Sequence, residues 1–209
     1  MNTKQRILTA SIKLFNEDGL KNITTNHIAK ELGISPGNLY YHFKNKEEII
    51  MAIYDEMIVY MNNAWALEID SIAIVNYLKK LSHLYYEYRF FQYELVEILR
   101  KNEKLRKKYN ANKEKRIKEI KLVFYKLKEL GLINCRDNFI ENLVELLWML
   151  SEFWMTNSKI KNQDFESFDL KEYFELIKEI VFPVLTREGI VFLNQSISNL
   201  VTFEYKELC

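Results

Sequence analysis

Glycine and proline are scarce in this chain, five and two among 209 residues. Sheets need tight turns, and turns consume these residues. Their scarcity excludes a turn-rich β architecture and predicts an all-α chain of long helices with few connections. The only two cysteines, Cys135 and Cys209, form no disulfide framework and fit a reducing cytoplasm. No stretch approaches the ~20 apolar residues that a membrane span requires. The first residues, MNTKQRILTASIKLF, lack the apolar run and cleavage site of a secretory signal. A cytoplasmic protein is expected. Charge of one sign is also missing overall, since 30 Lys and Arg against 29 Asp and Glu leave a net +1. A hydrophobic content of 48% excludes intrinsic disorder.

The few breakers divide the chain almost unaided. Thr3 to Asp18 carries Ile7, Leu8, Leu14 and Phe15 on one face and is followed by Gly19, which predicts an amphipathic helix with a glycine stop. Thr24 or Thr25 caps a short helix that Gly33 ends. Ser35 caps the next, with Pro36 at its first position, where the missing N–H costs nothing, and it runs to about Phe43. Asn45 and Glu48 form a capping-box-like pair opening a helix from Lys46 to about Ala64. Between Ile72 and Arg100 there is no Gly or Pro, and the apolar spacing predicts one continuous central helix. A basic helix to about Leu130 follows, closed by Gly131, then an apolar helix Phe139–Asn157, a polar loop to Gln163 and a helix Asp169–Leu185. Thr186 and Gly189 separate a last short helix.

Three short helices near the N-terminus, the last two joined by a glycine turn, suggest helix-turn-helix. Ala29 stands where the two helices approach, and Gly33, four residues later, accepts a positive φ without strain. Ile28, Leu32, Ile34 and Leu39 fill the core between them, leaving Asn38 and Tyr41 outward. The second helix is then the reader. Gly37 lets its start approach a sugar-phosphate backbone, and Asn38 suits a bidentate pair with adenine. Residues 1–46 hold seven bases and three acids, a net +4, so a near-neutral chain carries a basic head.

The run Thr24-Thr25-x2-Ile28-Ala29-x3-Gly33-Ile34-Ser35-Pro36-Gly37-Asn38-Leu39-Tyr40-Tyr41-His42-Phe43-Lys44-Asn45-Lys46-Glu47-Glu48 resembles the TetR family of bacterial transcriptional regulators. The resemblance covers about residues 3–55. It implies a dimeric repressor with a three-helix DNA-binding head on a helical body that binds a small molecule and dimerises through its last two long helices. It assigns phosphate contacts to Thr25, Tyr41, His42 and Lys46, and base or backbone contacts to Ser35, Gly37, Asn38 and Tyr40. Pro36 stands where relatives often carry a polar residue, which removes one contact. The stretches Tyr88-Arg89-Phe90-Phe91, Leu99-Arg100-x4-Leu105-Arg106 and Leu185-Thr186-x-Glu188-Gly189 resemble one subgroup of such bodies. Residues 1–46 are expected to form the DNA-binding domain, with the helix-turn-helix over about 25–43, and residues 47–209 the ligand-binding and dimerisation domain.

In the body, residues 51–209 hold 25 of the 29 aromatics, most of them ordinary core. His83, Tyr85, Tyr86, Tyr93, Tyr125 and Trp148 are candidates for an effector pocket between helices, suited to a hydrophobic or amphipathic molecule, although each has a plain packing role as an alternative. Residues 100–128 carry 13 bases and three acids. This is either a solvated helix face or a source of attraction for DNA or an anionic head group. Leu146, Leu150, Trp154, Phe174, Ile177 and Val181 are expected at a homodimer interface, because their helices are apolar over more than one stripe. No metal-ligand spacing, phosphate loop or nucleophile elbow is present in the sequence. No cofactor, metal or enzymatic activity is therefore expected, and a double-stranded DNA operator is the expected partner. The alternatives are an activator or partner-controlled DNA binder without a small effector, and an enzyme or adaptor using the helix-turn-helix as scaffold.

Overall fold

The computed structural model describes residues 2–64, 71–162 and 170–201. These residues form α1 (Thr3–Asp18), α2 (Thr25–Glu31), α3 (Pro36–His42), α4 (Lys46–Ala64), α5 (Ser71–Glu87), α6 (Arg89–Tyr93), α7 (Leu95–Lys101), α8 (Glu103–Glu129), α9 (Asp137–Asn162), α10 (Leu170–Val181), a 3₁₀ turn (Phe182–Val184) and α11 (Arg187–Val201). Among the described residues the extended pairing is an isolated antiparallel bridge between Ile133 and Leu185. The all-α expectation holds. None of these helices is long and apolar enough to cross a membrane.

Two compact units result, Met1–Asn62 with Leu84–Lys108 and Asn63–His83 with Tyr109–Cys209. In the first, Ile7, Phe15, Ile28, Leu39, Ile49 and Ile53 are fully buried together with Phe90 and Phe91. The Phe15 ring meets Phe90 at 5.1 Å, and Phe91 stacks on Tyr54 at 5.3 Å. Burying each of these side chains contributes about 1.5–3 kcal/mol before chain entropy is counted. In the second unit Ile117 and Phe124 of α8 pack with Ile140, Leu143 and Val144 of α9, and with Ile133 and Val184.

Four helix expectations need correction. The stretch 72–100 is three helices, broken at Tyr88 (φ −107°, ψ 32°) and Glu94 (φ −110°, ψ 12°). Neither break falls at a Gly or Pro. At the first, Asn16 of α1 donates its amide to the Glu87 carbonyl at 2.8 Å and accepts the Phe90 N–H at 3.0 Å. Helix α9 runs on through Asn162, where a polar loop from Asn157 was expected. Ser158 is buried there while Asn157, Ile160 and Lys161 are exposed, so polar residues stand on both the inner and the outer face of a continuing helix. Gln163 and Asp169 lie outside the described residues. Helix α10 stops at Val181 and gives way to the 3₁₀ turn, because Pro183 lacks the N–H and its ring crowds the preceding turn. Gly189 does not separate elements. It sits in the first turn of α11, a 15-residue helix.

Candidate nucleic-acid interface

The capping chemistry of the head defines its geometry. Thr24 Oγ1 accepts the His27 N–H and His27 Nδ1 accepts the Thr24 N–H, so His27 completes a capping box where Glu or Gln is usual. At the turn, the Gly33 N–H closes on the Lys30 carbonyl and the Ile34 N–H on Ala29, with Gly33 at φ 63°. A side chain there would be held in the left-handed region, at a cost of about 1–2 kcal/mol. Ala29 is buried, as its place between the helices requires. Ser35 Oγ then accepts the Asn38 N–H at 3.2 Å with Pro36 following it. This cap leaves the Ser35 O–H able to donate elsewhere.

Helix α3 therefore has two faces. Leu39 and, just beyond the helix, Phe43 point inward, and Lys4 Nζ lies 5.7 Å from the Phe43 ring centre. Ser35, Gly37, Asn38, Tyr40 and Tyr41 are exposed, and His42 is half-buried. Tyr41 is 85% exposed and meets the His42 ring edge-to-face at 5.1 Å. The Tyr40 hydroxyl pairs with Thr25 Oγ1 at 3.2 Å, which ties α3 to the start of α2. A Cβ at Gly37 would meet nothing nearer than Ser35 Oγ at 3.9 Å. Packing within the chain gives no reason for glycine at that position.

Lys46 differs from the simple expectation of an outward cation. Its ammonium donates to the carbonyls of Leu20 at 2.7 Å and Ile23 at 2.8 Å, and burial pulls its pKa below the ordinary lysine value. It clamps the α1–α2 loop to the start of α4. The box at that helix start forms as expected in one half, with Asn45 Oδ1 accepting the Glu48 N–H. The Glu48 carboxylate takes the Lys44 N–H, one residue earlier than in the standard box.

The remaining sequence candidates scatter. Tyr85, Tyr86 and Tyr93 belong to the first unit, His83, Tyr125 and Trp148 to the second. Tyr85 is buried, Tyr86 lies under the Arg89 guanidinium at 4.8 Å, and the Tyr125 hydroxyl donates to Glu141 at 2.9 Å. Tyr93 and His83 are half-buried. A shallow cleft of about 50 Å³ in the first unit is walled by Lys46, Glu94, Ile98 and Lys101 rather than by aromatic rings. In the second unit, the indole N–H groups of Trp148 and Trp154 are buried with no hydrogen-bond partner among the described residues. Sequence reasoning missed that feature, as it missed Glu152. Burial pushes the Glu152 carboxyl up to about 7, and the Tyr109 hydroxyl donates to it.

The basic run is largely paired. Arg100 and Lys101 bond Glu97, Arg106 and Lys107 bond Glu103, and Lys128 bonds Asp137. Exposed pairs of this kind contribute little to stability. Arg116 is the exception to a solvated face: it is 3% exposed and paired with Glu119 at 2.7 Å. Of the residues expected between protomers, Leu146 is exposed, whereas Leu150, Phe174, Ile177 and Val181 are half-buried. Trp154 is a correction: it is 3% exposed within one protomer and packs on Tyr173 at 5.8 Å. The exposed apolar stripe of α9 is Phe139, Leu146, Met149, Phe153 and Ile160, between 41% and 75% exposed. Their spacing of seven, three, four and seven is that of a heptad seam.

Two family models cover nearly the whole chain: "Bacterial regulatory proteins, tetR family" over residues 7–53 and "Bacterial transcriptional repressor" over residues 54–190. An HTH-type transcriptional regulator of Staphylococcus aureus (strain USA300) is 54% identical over 46 residues, 22% of this chain. That match spans a quarter of the length of the curated relative. A TetR-family transcriptional regulator from Marinobacter aquaeolei VT8 superposes with a TM-score of 0.86 at 31% identity, covering 95% of this chain and 98% of that one. A transcriptional regulator from Saccharomonospora viridis, solved in complex with choline, shares the fold at 17% identity with a TM-score of 0.73 over 88% of this chain and 98% of that one. With both models matched in succession and a relative alike from end to end, this chain belongs to the TetR family of bacterial transcriptional regulators.

Proposed function

We propose that the chain is a dimeric, sequence-specific DNA-binding repressor whose α3 enters the major groove and whose hold on DNA a small molecule releases. The observation that carries the reading is the outward face of α3. Gly37, Asn38 and Tyr41 are exposed side by side, and the head packs through other residues. Asn38 pairs with a base edge. Thr25, Ser35, Gly37, Tyr40, Tyr41 and His42 position the helix on phosphates and sugars. The first helical N–H groups add a favourable dipole for phosphate. Lys46 serves this surface chiefly by holding the α1–α2 loop in place.

Dimerisation supplies the second half-site. The α9 stripe leaves large apolar side chains uncovered in one protomer, and the heptad spacing suits a helix from a second copy across a two-fold axis. For the effector, the second unit is favoured. Two buried indole N–H groups have no acceptor there among the described residues, and buried donors of this kind call for an acceptor supplied from outside the chain. A mainly apolar or amphipathic molecule with an acceptor suits them. An effector weakens DNA binding only by its differential affinity for the two states.

Selection of bound fragments from random DNA tests the reading. The expected product is a near-palindrome whose half-site centres lie about 34–36 Å, or a multiple of that, apart. Enrichment of nothing, or of a single asymmetric site, would contradict it.

A further inference from the structure

The break between α5 and α6 frees two backbone groups, and one side chain takes both. In an unbroken helix the Phe90 N–H would bond the Tyr86 carbonyl and the Glu87 carbonyl would accept the Phe91 N–H. Here the Phe91 N–H closes on Tyr88 at 2.9 Å, and the Tyr86 carbonyl accepts from the Arg89 guanidinium at 3.0 Å. The Asn16 carboxamide fills the gap: its Nδ2 donates to Glu87 O at 2.8 Å and its Oδ1 accepts from Phe90 N–H at 3.0 Å. One partner is an acceptor and the other a donor, so the amide orientation is determined. Both bonds are partly buried, and the adjacent Phe15 and Phe90 rings meet at 5.1 Å. Asparagine thus acts as a missing peptide unit, supplied by the first head helix.

We infer that Asn16 is the positioning residue that holds the DNA-binding helices to the α5–α6 break, so that the head follows that break when it shifts. The inference rests on the reading of α3 as the DNA-contacting helix. Asn16 lies on α1, remote in sequence from the α3 face, and replacing it removes no expected DNA contact. A clasp of this kind acts on head orientation, not on base readout. Removing it lowers discrimination between the selected operator and the same operator with one base pair inserted between its half-sites.

The test uses the full chain as wild type, Asn16→Ala and Asn16→Asp. Aspartate keeps the acceptor for Phe90 and loses the donor to Glu87, so it gives a graded answer and serves if the alanine variant fails to fold. In the alanine variant, amide exchange at Phe90 is expected to speed up while exchange within α3 stays unchanged. Spacing discrimination is expected to fall about tenfold, within the usual range of intersite coupling, with the same half-site sequence preferred. Aspartate should retain slow exchange at Phe90 and lose part of the spacing discrimination. Unchanged exchange at Phe90 in the alanine variant, or equal loss of affinity for both spacings, overturns the inference. The exchange measurement needs no DNA, so a wild type that selects no sequence would refute the DNA reading while the clasp is still decided.

Discussion

Replacing Leu146 and Phe153 with glutamate is expected to yield a folded monomer that no longer holds a two-half-site operator. Both side chains are exposed in the protomer, so their loss leaves the helical core intact. They lie seven residues apart on the α9 stripe, and across a two-fold axis that stripe meets its own copy. Each substitution exchanges an apolar contact for a buried charge facing a like charge. Interfaces do not tolerate this without a compensating partner. Losing the dimer removes the linkage between half-sites, which is worth roughly 10²–10⁴ in apparent affinity. Light scattering at micromolar concentration reports the mass, and an operator titration reports the binding. A dimer mass in the double variant would show that the stripe is not the interface.

Gly189→Ala is expected to be among the most destabilising conservative changes in the chain. A Cβ at this position would overlap the Leu132 carbonyl oxygen, a backbone atom rather than a flexible side-chain end. Neither side can withdraw easily. The Thr186 N–H bonds Leu132 O at 3.0 Å, Thr186 Oγ1 bonds Gly131 O at 2.8 Å, and the Asn134 N–H bonds Val184 O at 2.8 Å. Alanine favours a helix by about 1 kcal/mol over glycine. The clash should outweigh this and leave a net loss of about 3 kcal/mol. For a chain of this size that is about 10 °C in Tm. Thermal unfolding followed by circular dichroism measures it, and an unchanged or higher Tm would mean that the close approach to Leu132 is not a constraint.

The head was legible because its determinants are local. Gly33, Pro36, Ser35 and the Thr24 cap each act within four residues, and the turn and both caps form where they were read. The body was legible only in outline, since its interruptions are tertiary. The break at Tyr88 is answered by Asn16, 71 residues from Glu87, and no window of local sequence contains both. Lys46 looked like an outward cation because sequence shows a charge but not the two carbonyls it reaches. On α9 the apolar residues cover most of the circumference, so periodicity alone did not separate the inward Trp154 from the outward Phe153. The stretch from Asn157 to Gln163 read as a loop because polar residues outnumber apolar ones there, yet the helix continues through Asn162 with Ser158 buried.

The central claim is that α3 reads DNA through its exposed face, and Asn38→Ala on a selected operator tests it most directly. Asn38 is exposed and only its backbone N–H takes part in the helix cap, so the variant should keep the wild-type Tm. Affinity should fall by about 1–3 kcal/mol per half-site, roughly 5- to 150-fold, and preference at one base pair in each half-site should disappear while the others persist. Wild-type affinity together with wild-type base preference at every position would contradict the account.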